Sequence, residues 1–112
     1  MARGTPADHL LRGTLELLLL QSLSKGPLHG YAIARHIEQA TDDGLAVEEG
    51  SLYPALHRLE ERGAVTARWA KGEKRRRVRL YSLTRKGRAR LEDQKRGWRA
   101  FARAVGRMVE SE

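Results

Sequence analysis

The sequence predicts a mainly α-helical fold with a small β-hairpin, a winged helix-turn-helix domain followed by a long C-terminal helix. Three observations predict it. Gly50–Leu83, GSLYPALHRLEERGAVTARWAKGEKRRRVRLYSL, reads as a short amphipathic helix, a glycine stop and a two-stranded hairpin with a basic tip. A second short amphipathic segment and a turn precede it, giving the order of a helix-turn-helix. After it, apolar residues spaced at sevens, threes and fours run along one continuous helical stretch. At 112 residues the chain has room for one domain with a modest core.

Residues 1–9 read as a flexible N-terminal tip, residues 10–84 as the winged domain and residues 85–112 as a dimerisation helix. Asp8 suits the cap of a first helix running to about Ser24, with Pro6 marking its approach. Leu10, Leu11, Leu15, Leu17, Leu18, Leu19, Leu20 and Leu23 cover almost its whole circumference. A helix apolar on all sides is buried on more than one. A small domain does not easily surround such a helix, so Leu15 and Leu18 are assigned to a second subunit. Lys25-Gly26-Pro27 ends the helix. A second helix follows, about Gly30 to Ala40, with Tyr31, Ile33, Ala34 and Ile37 as its inner side. Thr41-Asp42-Asp43-Gly44 is a turn cluster.

The third helix begins at Glu48 or Glu49, where acids suit the positive helix end, and stops at Gly63. Pro54 lies near enough to that end to be tolerated. Leu52, Leu56 and Leu59 stack on its inner face beside Ala55, while Pro54, His57, Arg58 and Glu61 lie opposite. Ser51 and Tyr53 flank the first turn, the part of a second helix that reaches bases or phosphates in such motifs. Each has a structural alternative: helix capping for Ser51, core packing for Tyr53. Ala64–Trp69 and Val78–Leu83 read as strands, with Ala70–Arg77 as the hairpin tip and Gly72 as its turn residue. Thr84 caps the last helix, Arg85 to Val109.

Charge points to the partner. The chain carries a net +8, and Arg68–Arg90 alone holds eleven Lys or Arg against the single acid Glu73. The remainder is therefore slightly acidic, and the third helix lies in its acidic part. A one-signed segment of this kind favours a polyanion, and double-stranded DNA is the leading candidate. Lys71, Lys74, Arg75 and Arg76 at the tip are the candidate phosphate contacts. Arg85, Lys86 and Arg88 extend the basic segment into a helix N-terminus, where the dipole opposes them. A non-specific architectural nucleic-acid binder is the alternative.

Other classes are less supported. The chain has no cysteine, which excludes disulfides and zinc-thiolate sites. The N-terminus lacks a signal-peptide pattern and the run Leu15–Leu20 is too short to span a bilayer, so a cytoplasmic protein without a membrane partner is expected. His9, His29, His36 and His57 form no metalloprotease motif, and no phosphate loop or serine elbow is present. No enzyme activity, metal or cofactor is expected, and His29 reads as a brace of the second helix.

Leu91, Trp98, Phe101, Val105 and Met108 form a stripe too apolar for water, assigned to dimerisation, with packing on the first helix of the same chain as the bland alternative. Gly97 and Gly106 permit close helix approach or bend the helix. A two-fold dimer would present two wings and two recognition helices to a pseudo-palindromic site. Trp98 is a candidate for lining an effector pocket at the interface, though a tryptophan in such a stripe is usually core.

LRGTLELLLL (Leu11–Leu20), GPLHGYAIA (Gly26–Ala34), GSLYPALHRLEERG (Gly50–Gly63) and RLYSLTRKGR (Arg79–Arg88) closely resemble the PadR-like transcriptional regulators in order and spacing. The resemblance covers about residues 10 to 109. It implies a winged helix-turn-helix, a C-terminal helix that pairs two subunits, and a dimeric repressor often released by a small molecule or stress signal. It places Tyr31, Ser51, Tyr53, Pro54, His57 and Arg58 toward DNA, with Lys71, Gly72 and Lys74–Arg76 forming the wing. The chain resembles the smaller branch of the family, with a single C-terminal helix. Family members often have Pro and Glu after the strand-ending Leu-Thr, where this chain has Arg85 and Lys86.

Overall fold

Leucines spaced at three and four on three short helices converge on one core, and a small sheet closes its side. The computed structural model describes residues 6–111, with side chains from Thr14 onward. The order is α1 (Pro6–Ser22), β1 (Leu28–His29), α2 (Gly30–Ala40), α3 (Glu49–Glu61), β2 (Val65–Lys71), β3 (Arg77–Leu83) and α4 (Arg85–Val109). The core joins Leu15, Leu19, Leu20 and Leu23 of α1 and its end to Ile33 and Ile37 of α2. Leu52, Ala55, Leu56 and Leu59 of α3 complete its centre, with Val65, Tyr81 and Leu91 at the margin.

Several boundaries differ from expectation. α1 starts at Pro6, so Asp8 lies inside the helix and residues 6–9 belong to it rather than to a flexible tip. Met1–Thr5 and the side chains of His9, Leu10 and Leu11 lie outside the described residues. Tyr31 is not on the inner side of α2: it is 65% exposed. Ser51 does not cap α3, because the cap position is Glu48 and Ser51 is the third helical residue. Gly63, at φ 76°, lets Ala64 N–H return to Leu59 O at 2.9 Å and ends α3.

The sheet has three antiparallel strands in the order β1-β3-β2, not two. Leu28 and His29 pair with Tyr81 and Leu80, a strand too short to leave a period in the sequence. β2 and β3 extend to Lys71 and Arg77, which pair, so the tip narrows to Gly72–Arg76. Its left-handed residues are Lys74 (φ 56°) and Arg75 (φ 62°), whereas Gly72 has φ −98°. Gly72 is required for space instead: a Cβ there would lie 2.8 Å from Val78 Cγ1.

Thr84 joins the sheet to α4. Its hydroxyl oxygen accepts from Gly87 N–H at 2.9 Å and its hydroxyl donates to Gly63 O at 2.6 Å. A Cβ on Gly87 would meet Ala64 O at 2.0 Å, so only glycine allows α4 to start this close to the end of α3. Leu91 packs in the core, and Arg90 and Gln94 both donate to Glu16 of α1. Beyond Gln94 and Lys95 the face of α4 opens to solvent, and the molecule measures 57 × 36 × 21 Å.

Candidate nucleic-acid interface

The first turn of α3 is held by contact with α2. The Tyr53 ring lies where a Cβ on Gly30 would be, 2.4 Å from the phenol oxygen, so the tyrosine seats on the first residue of α2. It remains 42% exposed, which unites the packing and surface roles left open by the sequence. α2 is itself fixed by His29, whose Nδ1 accepts from Ala32 N–H at 3.2 Å. Tyr31 stacks on His29 with ring centres 6.5 Å apart and faces solvent.

Ser51, Pro54, His57 and Arg58 are all exposed on α3, opposite the buried Leu52, Ala55, Leu56 and Leu59. His57 Nε2 lies 3.3 Å from Glu61 Oε2. Lys71, Lys74, Arg75, Arg76 and Arg77 are exposed along the wing, and none forms a salt bridge within the described residues. Unneutralised cations on a projecting hairpin are a surface suited to a phosphate backbone.

Between α3 and the sheet lies a cleft of about 680 Å³, lined by Tyr53, His57, Glu60, Glu61, Trp69, Arg79 and Tyr81. It brings Tyr53 and His57 together with the base of the wing. Ser51, Pro54, Arg58 and the tip cations lie outside its lining. Arg79 Nη2 donates to Glu60 Oε2 at 2.9 Å, tying β3 to α3. Burial pushes the Tyr81 phenol up from its ordinary pKa. Trp69, 52% exposed, carries the Arg77 guanidinium 4.7 Å and the Arg79 guanidinium 5.3 Å from its ring centre. Sequence reasoning missed Trp69, Arg77, Arg79 and Glu60 as site residues. The available signal was strand register, which sets Trp69 opposite Arg79.

The residues assigned to dimerisation divide. Leu15 and Leu91 are buried in the core of their own chain, which corrects their assignment to a subunit interface, whereas Leu18 is half-buried against that core. Trp98, Phe101, Val105 and Met108 stay exposed on the free half of α4, so packing on α1 of the same chain does not cover them. Trp98 and Phe101 rings lie 6.2 Å apart, and Trp98, 46% exposed, is not a core residue of the protomer. Nothing lies within 4 Å of a Cβ on Gly97 or Gly106. Glu16 links the helices: Arg62, at the end of α3, lies 3.1 Å from Oε1, while Arg90 and Gln94 bond the other oxygen. Burial raises its pKa, but the bonds from Arg90 and Gln94 and the charges of Arg90 and Arg62 outweigh burial and hold it below the ordinary glutamate value.

A helix-turn-helix packed against a small sheet, with an unneutralised cationic hairpin beside α3, defines a winged helix-turn-helix DNA-binding domain. The chain belongs to the Transcriptional regulator PadR-like family, which residues 19–93 match. Its members are regulators of transcription, not enzymes. A PadR family transcriptional regulator from Eggerthella lenta superposes with a TM-score of 0.78 at 31% identity, covering 93% of this chain and 88% of that one. Transcriptional regulator Rv3488 of Mycobacterium tuberculosis is 32% identical over 94 residues, 84% of each chain. An uncharacterized 37.1 kDa protein of a Streptomyces fradiae transposon is 44% identical over 96 residues, which are 86% of this chain and 25% of that relative. The chain thus spans a quarter of that protein and 37% of the Escherichia coli transcriptional regulator YqjI. No described helix is long and apolar enough to cross a membrane.

Proposed function

We propose that this protein is a cytoplasmic, dimeric repressor that binds a pseudo-palindromic operator and is released by a small-molecule or stress signal. Residues 10–84 form the DNA-binding unit and residues 85–112 pair two subunits. The carrying observation is the wing: five exposed cations from Lys71 to Arg77 with no carboxylate partner among the described residues. Ser51, Tyr53, Pro54, His57 and Arg58 face the bases or flanking phosphates, Tyr31 borders them, and Lys71, Lys74, Arg75 and Arg76 follow the backbone. Gly72 shapes the hairpin that presents these cations. Glu48, Glu49, Glu60 and Glu61 give α3 an acidic character that charge alone would not bring to DNA. The helix therefore selects sequence while the wing supplies most of the affinity.

Trp98, Phe101, Val105 and Met108 form the dimer seam. An effector that binds beside Trp98 would alter the distance between the two recognition helices. Selection of bound fragments from genomic DNA tests the reading. One recovered sequence that holds the protein over excess random DNA supports it; equal binding to random fragments indicates a non-specific architectural binder. Deletion from Gly97 onward is expected to yield a monomer.

A further inference from the structure

The cleft between α3 and the wing contains an arrangement that the general DNA-binding reading does not explain. Trp69 stands on the sheet face toward α3, half-exposed, with two guanidiniums over it. The two arginines differ in their partners. Arg79 is neutralised by Glu60 at 2.9 Å, so it braces β3 against α3 and cancels a carboxylate that would repel a phosphate strand. Arg77 has no carboxylate partner among the described residues and is exposed at the first position of β3, where the tip meets the cleft. A guanidinium held over an aromatic ring engages through its face, and the N–H groups along its edge stay free to donate. Holding it there in advance removes rotamer freedom that would otherwise be lost on binding. Across the cleft stand the Tyr53 and His57 side chains, so a backbone entering here meets donors on both sides.

We propose that Trp69 is a positioning residue that holds Arg77 ready to bind one phosphate of the DNA backbone at the mouth of this cleft. The proposal rests on the DNA-binding reading above and adds to it a contact distinct from the wing tip. It predicts a specific thermodynamic coupling. Arg77 supplies the charge, and Trp69 acts only through it.

The test is a double-mutant cycle on the full chain, measuring affinity for the selected operator across a salt series. Trp69→Ala and Arg77→Ala are each expected to weaken binding about 2- to 30-fold, the range of one exposed-to-desolvated cation–aromatic contact. The slope of log K against log salt is expected to shrink by about 0.9 for Arg77→Ala, one phosphate contact, and by a similar amount for Trp69→Ala. The double variant should match Arg77→Ala within twofold. Trp69→Phe should recover most of the affinity. Arg77→Lys should keep the slope while losing affinity severalfold, since an ammonium lacks the planar face. Wild-type slope and affinity in Trp69→Ala would overturn the proposal, as would multiplicative losses in the double variant. Replacing Lys74, Arg75 and Arg76 together separates the two readings. If that variant loses binding while Trp69→Ala does not, the cleft contact alone is wrong; if wild type binds no DNA, both readings fall.

Discussion

Replacing Phe101 with alanine separates the apolar stripe of α4 from the fold of the protomer. Phe101 is 58% exposed and its recorded ring contact is with Trp98 on the same helix, so its loss leaves the core of α1, α2 and α3 intact. A phenylalanine presents about 200 Å² of surface, and the exposed share at this position is about 115 Å². Allowing for the Cβ that alanine keeps, about 80 Å² of apolar burial disappears, worth about 2 kcal/mol at about 25 cal/mol per Å². A two-fold interface repeats the loss, giving about 4 kcal/mol per dimer and an increase of about a thousandfold in the dimer dissociation constant. Sedimentation equilibrium over a concentration series reads that constant, and thermal unfolding of the diluted protein reports whether the monomer remains folded. Wild-type dimer affinity in Phe101→Ala would refute the assignment of this stripe to the subunit seam.

Neutralising Lys74, Arg75 and Arg76 together should reduce the salt slope of operator binding by up to about 2.7 if all three meet phosphate, measurable by fluorescence anisotropy in a salt titration. Tyr53→Phe keeps the ring seated on Gly30 and removes only the hydroxyl; operator affinity should fall about fivefold, the worth of one hydrogen bond of about 1 kcal/mol, with little change on random DNA. For Glu16, the folded pKa lies below the unfolded one, so its stabilisation is present above the ordinary value of 4.5 and fades as pH falls through the lower folded value. Glu16→Gln should therefore lower the melting temperature at neutral pH and leave less acid-dependent loss below pH 4.5 than wild type shows in the same melts. Equal acid sensitivity in the two proteins would remove Glu16 from that role.

The long helix from Arg85 to Val109 was legible to the residue, because a Thr cap, a continuous period and the absence of proline all agree. The inner face of α3 was equally legible: a leucine at every third or fourth position buries whichever neighbour it meets. β1 was not legible, since two residues carry no period and its pairing depends on β3 arriving from far along the chain. The same distance hid the cleft. Trp69 reads as an ordinary strand residue until register places it opposite Arg79 and the α3 packing brings Glu60 to that arginine. Lys74 and Arg75 take left-handed angles that glycine would favour, within the turn that Gly72 N–H closes onto Arg76 O at 2.6 Å.

Local periodicity and composition fix the helix-turn-helix order, the concentration of charge in the wing and the apolar stripe of α4. Which apolar residues stay available to a partner depends instead on long-range packing. Leu15 and Leu91 belong to the same patterns as their exposed neighbours, yet the start of α4 is pressed onto Ala64 by Gly87 and tied to α1 by Glu16. That packing buries Leu91, the first residue of the stripe, inside the chain. Past Gln94 the face of α4 turns to solvent, and Trp98, Phe101, Val105 and Met108 remain 40–78% exposed.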